Sequence, residues 1–289
     1  QVHVDGLQRD APPPRGVQPP QRHGRRRQLR ATPISECAVG HGLPLERPDR
    51  LDEASIGRIR SYDVEAWVVI AYGLKLPPAM LEGVFACNLH GSLLPRWRGA
   101  APIQRALMAG DSITGVSVIT LAEIMDAGDL LAIRKLEIEP EETAGELHDR
   151  LATLGPGAIQ DVLDQVAAGI LSPQPQPTEG VTHAAKLSRS EATCDFRGSA
   201  ETVRGWIHGL SPWPGCDVRS SAGTLRLRRV RAVPGEDVLG APGDLLPDGR
   251  VACGRGAIEI RQVQIAGGRP MAWDEFRRGR DVGARLEAM

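Results

Sequence analysis

The chain has 289 residues, 41% of them hydrophobic and 25% charged, with a formal net charge of −1. Such a balance belongs to a soluble globular protein long enough for two domains. No apolar run approaches the ~18–20 residues of a membrane span, and no secretory hydrophobic region opens the chain, so the cytoplasm is the default location.

Five cysteines (37, 87, 194, 216 and 253) are dispersed without a Cys-x-x-Cys pair. That spacing reads as reduced thiols, not a disulfide framework or a zinc site. Nothing in the pattern of His, Cys and acidic residues indicates a metal. Charge is unevenly spread: residues 1–30 carry seven Arg against two Asp, and 186–289 carry seventeen bases against thirteen acids. The middle, 31–185, holds eleven bases and twenty-one acids. Basic ends on an acidic body suit a nucleic-acid-facing enzyme, and equally an ordinary solvated surface.

Residues 1–28 are rich in Pro and Arg, without periodicity beyond Gln1-Val2-His3-Val4, and read as a disordered segment. The chain opens on Gln, which reads as a fragment or a mis-read start. Thr32-Pro33-Ile34 opens a weak helix, Gly42-Leu43-Pro44-Leu45 reads as a short strand after a Gly stop, and 52–61 form a helix. Ala66 to Ala71 is a continuous run of β-formers, as in a strand covered on both faces. Its Tyr72-Gly73 end falls where α/β sheets place ligands. Val84 to His90 is the next strand.

Pro102 to Ala109 is a helix with Pro in its first turn and Gly110 beyond its end. Gly115 to Leu121 alternates as a strand, and the turn Met125 to Asp129 leads into a strand over 130–138. Two amphipathic helices, 143–154 and 158–168, are separated by Gly155-Pro156-Gly157. Strands alternating with helices predict an α/β fold with a Rossmann-like, mainly parallel sheet and helices on both faces. A Pro-rich stretch, 171–180, reads as a semi-rigid linker. Beyond it, a helix over 200–210 and short strand patterns at 225–230, 250–253 and 258–265 predict a small β-barrel. The expected division is 1–28 atypical segment, 29–170 catalytic domain, 171–186 linker and 187–289 C-terminal domain. His148 and His208 lie in helical patterns and read as surface or core histidines.

The chemistry concentrates in 88–104. Asn88 and His90 sit two apart, so on an extended strand they share a face. Gly91 ends the strand, and Ser92 to Gly99 form a loop held by Pro95 and Gly99. An amide donor beside an imidazole at a strand end suits a carbonyl reaction: the amide stabilises an oxyanion while the imidazole handles a proton. Taken alone, an Asn-x-His pair is more often polar decoration of a strand.

The whole run Asn-Leu-His-Gly-Ser-Leu-Leu-Pro-Arg-Trp-Arg-Gly-Ala-Ala-Pro-Ile-Gln (88–104) closely resembles the signature of the methionyl-tRNA formyltransferase family. Tyr72-Gly73, Asp126-Ala-Gly-Asp129 and Ser211-Pro-Trp-Pro214 match further motifs, from about Leu29 to near the C-terminus. The resemblance implies an OB-like barrel as the C-terminal domain, which helps hold tRNA. It implies formyl transfer from 10-formyltetrahydrofolate to the α-amine of methionyl initiator tRNA in translation initiation. Asn88, His90 and Asp126 then match the catalytic residues. Ser92, Leu93, Leu94 and Pro95 match the folate-contacting loop, with Tyr72 and Gly73 lining the pterin slot. Asp129 reads as structural or a weak folate contact. Arg96, Trp97 and Arg98 either flank the methionyl or acceptor-end site or pin the loop. Arg25, Arg26 and Arg27 fall at the end of a basic loop that contacts the acceptor arm, or in a solvated tail. A monomer is the family expectation.

The family's usual first strand, turn and helix are not found in 1–28. That motivates one alternative, an inactive remnant that at most binds tRNA, since loss of a central strand opens the sheet to unpaired edges. A second alternative is a folate-dependent formyltransferase acting on a nucleotide-linked amino sugar. Such enzymes share Asn-x-His and Ser-Leu-Leu-Pro but diverge in Arg96 to Ile103.

Overall fold

The computed structural model describes residues 31–235 and 240–289, preceded by the strand pieces Arg15–Gly16 (β1), Gln21–His23 (β2) and Gln28–Arg30 (β3). Contacts divide the chain into two compact units. The first takes the described residues up to His90 together with Val118–Leu121; the second takes Gly91–Ser117 and Ala122–Met289.

In the first unit β2 and β3 pair antiparallel, and β1 pairs parallel with Leu45–Glu46 (β4). The segment expected to be disordered therefore contributes three paired pieces; its other residues lie outside the described ones. Thr32 caps helix α1 (Pro33–Gly40), its hydroxyl accepting from the Ser35 amide, with Pro33 in the first turn where its missing N–H costs nothing. Asp52 caps α2 (Glu53–Arg60) in the same way, at 3.0 Å from the Ser55 amide. Bonds from the Ser55 hydroxyl, the Ser55 amide and Arg50 lower the Asp52 carboxyl to about 2.

Ala66–Ile70 (β5) pairs parallel with Phe85–His90 (β6), placing Val69 opposite Asn88 and Ile70 opposite Leu89. The short helix α3 (Pro78–Leu81) lies between them in sequence. The expectation of a strand covered on both faces is corrected here, because Val68 is 38% and Ile70 54% exposed. Among the described strands β5 ends the sheet order, and its alternate residues face outward.

The four-stranded order is β5-β6-β8-β9, with β8 (Ile113–Thr120) shared between the units and β9 (Leu130–Glu137) in the second. The Ile138 amide donates to Ser112 O, while Gly115 faces Arg134, so β9 runs antiparallel to β8. A parallel pair with an antiparallel edge is a common α/β pattern. Thr114 to Ile119 of β8 are buried without alternation, as befits a strand internal to the sheet.

The rest of the second unit begins with Arg98–Gly99 (β7) and α4 (Pro102–Ala109), which Gly110 terminates in the left-handed conformation. The two helices expected around Gly155-Pro156-Gly157 are one, α5 (Ala144–Ala167), with Pro156 inside it. Leu147, Leu151, Gly155, Ala158 and Val162 form one buried stripe across the proline, and a Thr143–Glu146 capping box starts the helix. Packing along that stripe outweighs the lost hydrogen bond.

His183–Ala184 (β10) then pairs parallel with β7. After α6 (Ala200–Gly209), strands β11 (Cys216–Ser220), β12 (Gly223–Val233), β13 (Val251–Ala252), β14 (Ala257–Ile265), β15 (Met271–Ala272) and β16 (Glu287–Ala288) form a six-stranded antiparallel sheet. Helix α7 (Trp273–Arg278) sits late in this run. Leu225 and Leu227 face Ile265 and Val263, and a bulge after Leu227 restores Val230 to the buried face against Ile260. Val203 and Ile207 of α6, with Leu210 just past its end, close this core, each such side chain contributing about 1.5–3 kcal/mol. His208 is buried in it, its Nε2 accepting from the Val230 amide at 3.0 Å.

Candidate functional site

In the first unit the paired strands fix the chemistry-bearing residues. Asn88 is half-buried and His90 is 6% exposed on one face of β6, alternating with Cys87 and Leu89 on the other. Cys87 is fully buried, and burial pushes its thiol up to about 11, leaving it an unreactive core residue. Tyr72 and Gly73 follow β5, and burial raises the Tyr72 hydroxyl. Ala71, just before them, has φ 48°, so the chain turns sharply where the strand ends.

In the second unit the loop after Gly91 is fastened from inside. The Ser92 hydroxyl donates to Arg96 O at 2.6 Å, and Ser92 is fully buried. Ser117 of β8 donates to Ser92 O at 2.8 Å and accepts from the Leu94 amide at 3.2 Å. Leu94 is buried, leaving Leu93 and Pro95 half-exposed as the loop's apolar surface. A side chain at Gly115 would meet Arg134 O at 2.1 Å and Leu93 at 2.6 Å, so β8 needs glycine under the loop.

Asp111, just past α4, takes two donors of the loop, Arg96 Nη2 and Trp97 Nε1, each at 2.7 Å. The Arg96 guanidinium lies 5.3 Å from the Trp97 ring centre. Trp97 is held at φ 62°, a rare conformation for so bulky a residue. Arg98 donates through Nε and Nη2 to Gln176 Oε1 at 3.1 and 2.7 Å. Each of Arg96, Trp97 and Arg98 therefore has a partner in its own unit.

Asp126 stands at φ 56° in the turn before β9 and accepts the Gly99 amide on Oδ2 at 2.8 Å. Gly99 has φ 115°, and a Cβ there would lie 2.8 Å from Ala184 O, so no other residue fits. Ala71, Trp97 and Asp126 are three of four non-glycine residues at positive φ among the described residues. Such conformations concentrate at functional sites. Ser211, which opens the Ser-Pro-Trp-Pro motif, is buried and accepts the Gly145 amide of α5 at 3.1 Å.

A family model described as formyl transferase matches residues 17–163, and one described as formyl transferase, C-terminal domain, matches 186–281. The chain belongs to the formyl transferase family. Methionyl-tRNA formyltransferases of Parvibaculum lavamentivorans and Methylobacterium nodulans are 42% and 43% identical to it over 270 and 271 residues, 91% of this chain and 87% of each relative. The HypX protein of Aquifex aeolicus in complex with tetrahydrofolic acid superposes with TM-score 0.60 at 17% identity, over 82% of this chain and 43% of that one. An N-formyltransferase from Helicobacter canadensis, in complex with folinic acid and dTDP-3-aminofucose, gives 0.59 at 11% identity over 77% and 80%. At those identities the likeness is one of fold. The family match starts at residue 17, earlier than the motifs place it.

Against the formyl transferase motifs, the structure places Asn88, His90, Tyr72 and Gly73 on one parallel strand pair and its continuation. It brings the Ser92–Gly99 loop and Asp126 together within the second unit. Arg25, Arg26 and Arg27 lie outside the described residues. Asp111, Ser117, Gln176 and Thr182 are the fasteners that sequence reasoning missed. Asp111 follows a helix-ending Gly, where a capping acid draws no notice, and Gln176 hides in a Pro-Gln repeat.

Proposed function

We propose that this chain transfers the formyl group of 10-formyltetrahydrofolate to the α-amine of methionyl initiator tRNA. The observation that carries this reading is 42–43% identity over 91% of the chain to relatives bearing that activity in their name. Both halves of the chain match the family, whereas the likeness to the sugar enzyme rests at 11% identity.

The residues present suit a folate. Internal bonds occupy the Ser92 hydroxyl and the Leu94 amide, so the loop offers a ligand the apolar faces of Leu93 and Pro95 and backbone groups. Tyr72 and Gly73 supply a ring and an open backbone after β5. When bound, 10-formyltetrahydrofolate supplies the formyl carbon that the amine attacks. Asn88 donates its side-chain amide to the formyl oxygen as negative charge builds there, an interaction whose removal typically costs about 10²–10³ in rate. His90 takes the proton of the attacking amine, directly or through a water, and passes it to the folate nitrogen as the bond from that nitrogen to the formyl carbon breaks, which leaves tetrahydrofolate and a neutral imidazole. Asp126 is read as the third catalytic residue on its match to the family turn.

Arg96, Trp97 and Arg98 act by holding the loop, as their bonds to Asp111 and Gln176 support. Arg25 to Arg27 are read as acceptor-arm contacts, where phosphate pairing supplies sequence-independent affinity. The resemblance also implies a cytoplasmic monomer, and no described helix is long and apolar enough to cross a membrane. The test is single-turnover formylation with three acceptors: methionyl initiator tRNA, the uncharged tRNA and a nucleotide-linked amino sugar. Product on the charged tRNA alone supports the assignment; product on the sugar alone overturns it.

A further inference from the structure

We infer that Gln176, in the Pro-rich strap between the two family-matched halves, is a positioning residue that sets the Asp126 turn and Arg98 in their working geometry. The inference rests on the reading of Asp126 as catalytic. From Ser172 to Gly180 every residue is exposed except Gln176, which is half-buried. Its side chain uses both ends. Nε2 donates to Asp126 O at 2.8 Å and to Gly128 O at 2.7 Å, while Oε1 accepts Arg98 Nε and Nη2 at 3.1 and 2.7 Å. An arginine only donates and a carbonyl only accepts, so this network fixes which way the amide points.

The strap is built to present that side chain. Pro175 and Pro177 flank it, which restricts the backbone on both sides. Upstream, Gln174 exchanges two backbone bonds with Leu130 at 2.7 and 2.9 Å, at the start of β9. Downstream, Thr182 accepts the Trp97 amide on Oγ1 at 2.8 Å and the Arg98 amide on its carbonyl at 2.9 Å. The strap is thus tacked to both the turn and the loop, and Gln176 spans the two. Asp126 sits at φ 56°, a conformation that persists only where its surroundings hold it. The two Gln176 bonds close on the carbonyls at and just after that residue, so they govern where the Asp126 carboxylate points.

The near-isosteric Gln176→Met variant removes both ends of the clamp. Gln176→Glu keeps the acceptor for Arg98 but sets a carboxylate against two carbonyls. Both are measured beside Asp126→Asn by single-turnover formylation, with KM for folate and for tRNA and the thermal midpoint recorded. Misplacement of a catalytic group typically costs up to about 10²-fold. The expected result is a 10–100-fold loss of the single-turnover rate in both Gln176 variants, with each KM within about threefold of the parent. Full rate in Gln176→Glu, or a loss confined to KM, overturns the positioning role. A parent-like rate in Asp126→Asn sinks the reading on which the inference rests; an inactive Asp126→Asn beside fully active Gln176 variants sinks the inference alone. If Gln176→Met fails to fold, Gln176→Glu decides the matter.

Discussion

The backbone amide of Gly99 donates to the carboxylate of Asp126 across 2.8 Å, joining the end of the signature loop to the turn before β9. The contact exists because Gly99 adopts φ 115° and lies against Ala184 O without a side chain between. Gly99→Ala strains the backbone and forces a Cβ to within 2.8 Å of that carbonyl. We expect a stability loss of about 1–3 kcal/mol and a slower formylation rate. Denaturant titration and single-turnover kinetics on the same preparation check both.

Asp111 holds Arg96 and Trp97 at once, and it is 17% exposed. Asp111→Ala leaves the Trp97 indole N–H and the Arg96 guanidinium without that acceptor and frees a residue held at φ 62°. The expected outcome is a rate lower by about 10–100-fold with the fold intact, and Asp111→Asn, which keeps one acceptor oxygen, falls between. Equal rates in all three proteins would remove the loop brace from the account.

How much of this was legible in the sequence differs by residue. Asn88 and His90 on one strand face follow from period-2 geometry, and helices α1 and α4 follow from the Thr32-Pro33 start and the Gly110 stop. Gly155-Pro156-Gly157 misled, because local breaker chemistry says nothing of the buried stripe that carries α5 through it. The fasteners at Asp111, Ser117 and Gln176 were illegible for another reason. Their partners lie 14 to 78 positions away along the chain, and no periodicity encodes such pairs. The exposure of Val68 and Ile70 was likewise hidden, since an apolar run does not say which neighbours cover it.

Gly157 sits in the middle of α5 with nothing within 4 Å of an added Cβ. Gly157→Ala lowers the entropy of the unfolded chain and improves helix propensity. We expect about 0.5–1 kcal/mol of added stability and an unchanged formylation rate. A lower thermal midpoint would show that the Gly-Pro-Gly segment needs flexibility in its helix.

His208 is buried neutral, its imidazole lowered to about 4 chiefly by burial, then by Arg204 and Arg229, and the bond its Nε2 accepts from Val230 also requires the neutral ring. The unfolded chain takes up this proton below about 6.5 while the folded one does not, so stability falls as pH drops through the window from 6.5 toward 4. Between pH 6.5 and 5 the loss amounts to about 2 kcal/mol from this group. His208→Gln, whose side-chain carbonyl can still accept from Val230, flattens that slope. Chemical denaturation at several pH values checks it, and identical slopes in both proteins would mean that another group is responsible.

The central claim is that His90 carries the proton in formyl transfer to methionyl initiator tRNA. Its most direct test is single-turnover formylation by the chain as it stands, with His90→Ala alongside. The account predicts product from the parent and a rate lower by about 10²–10⁴-fold in the variant. Equal rates in the two proteins would contradict it.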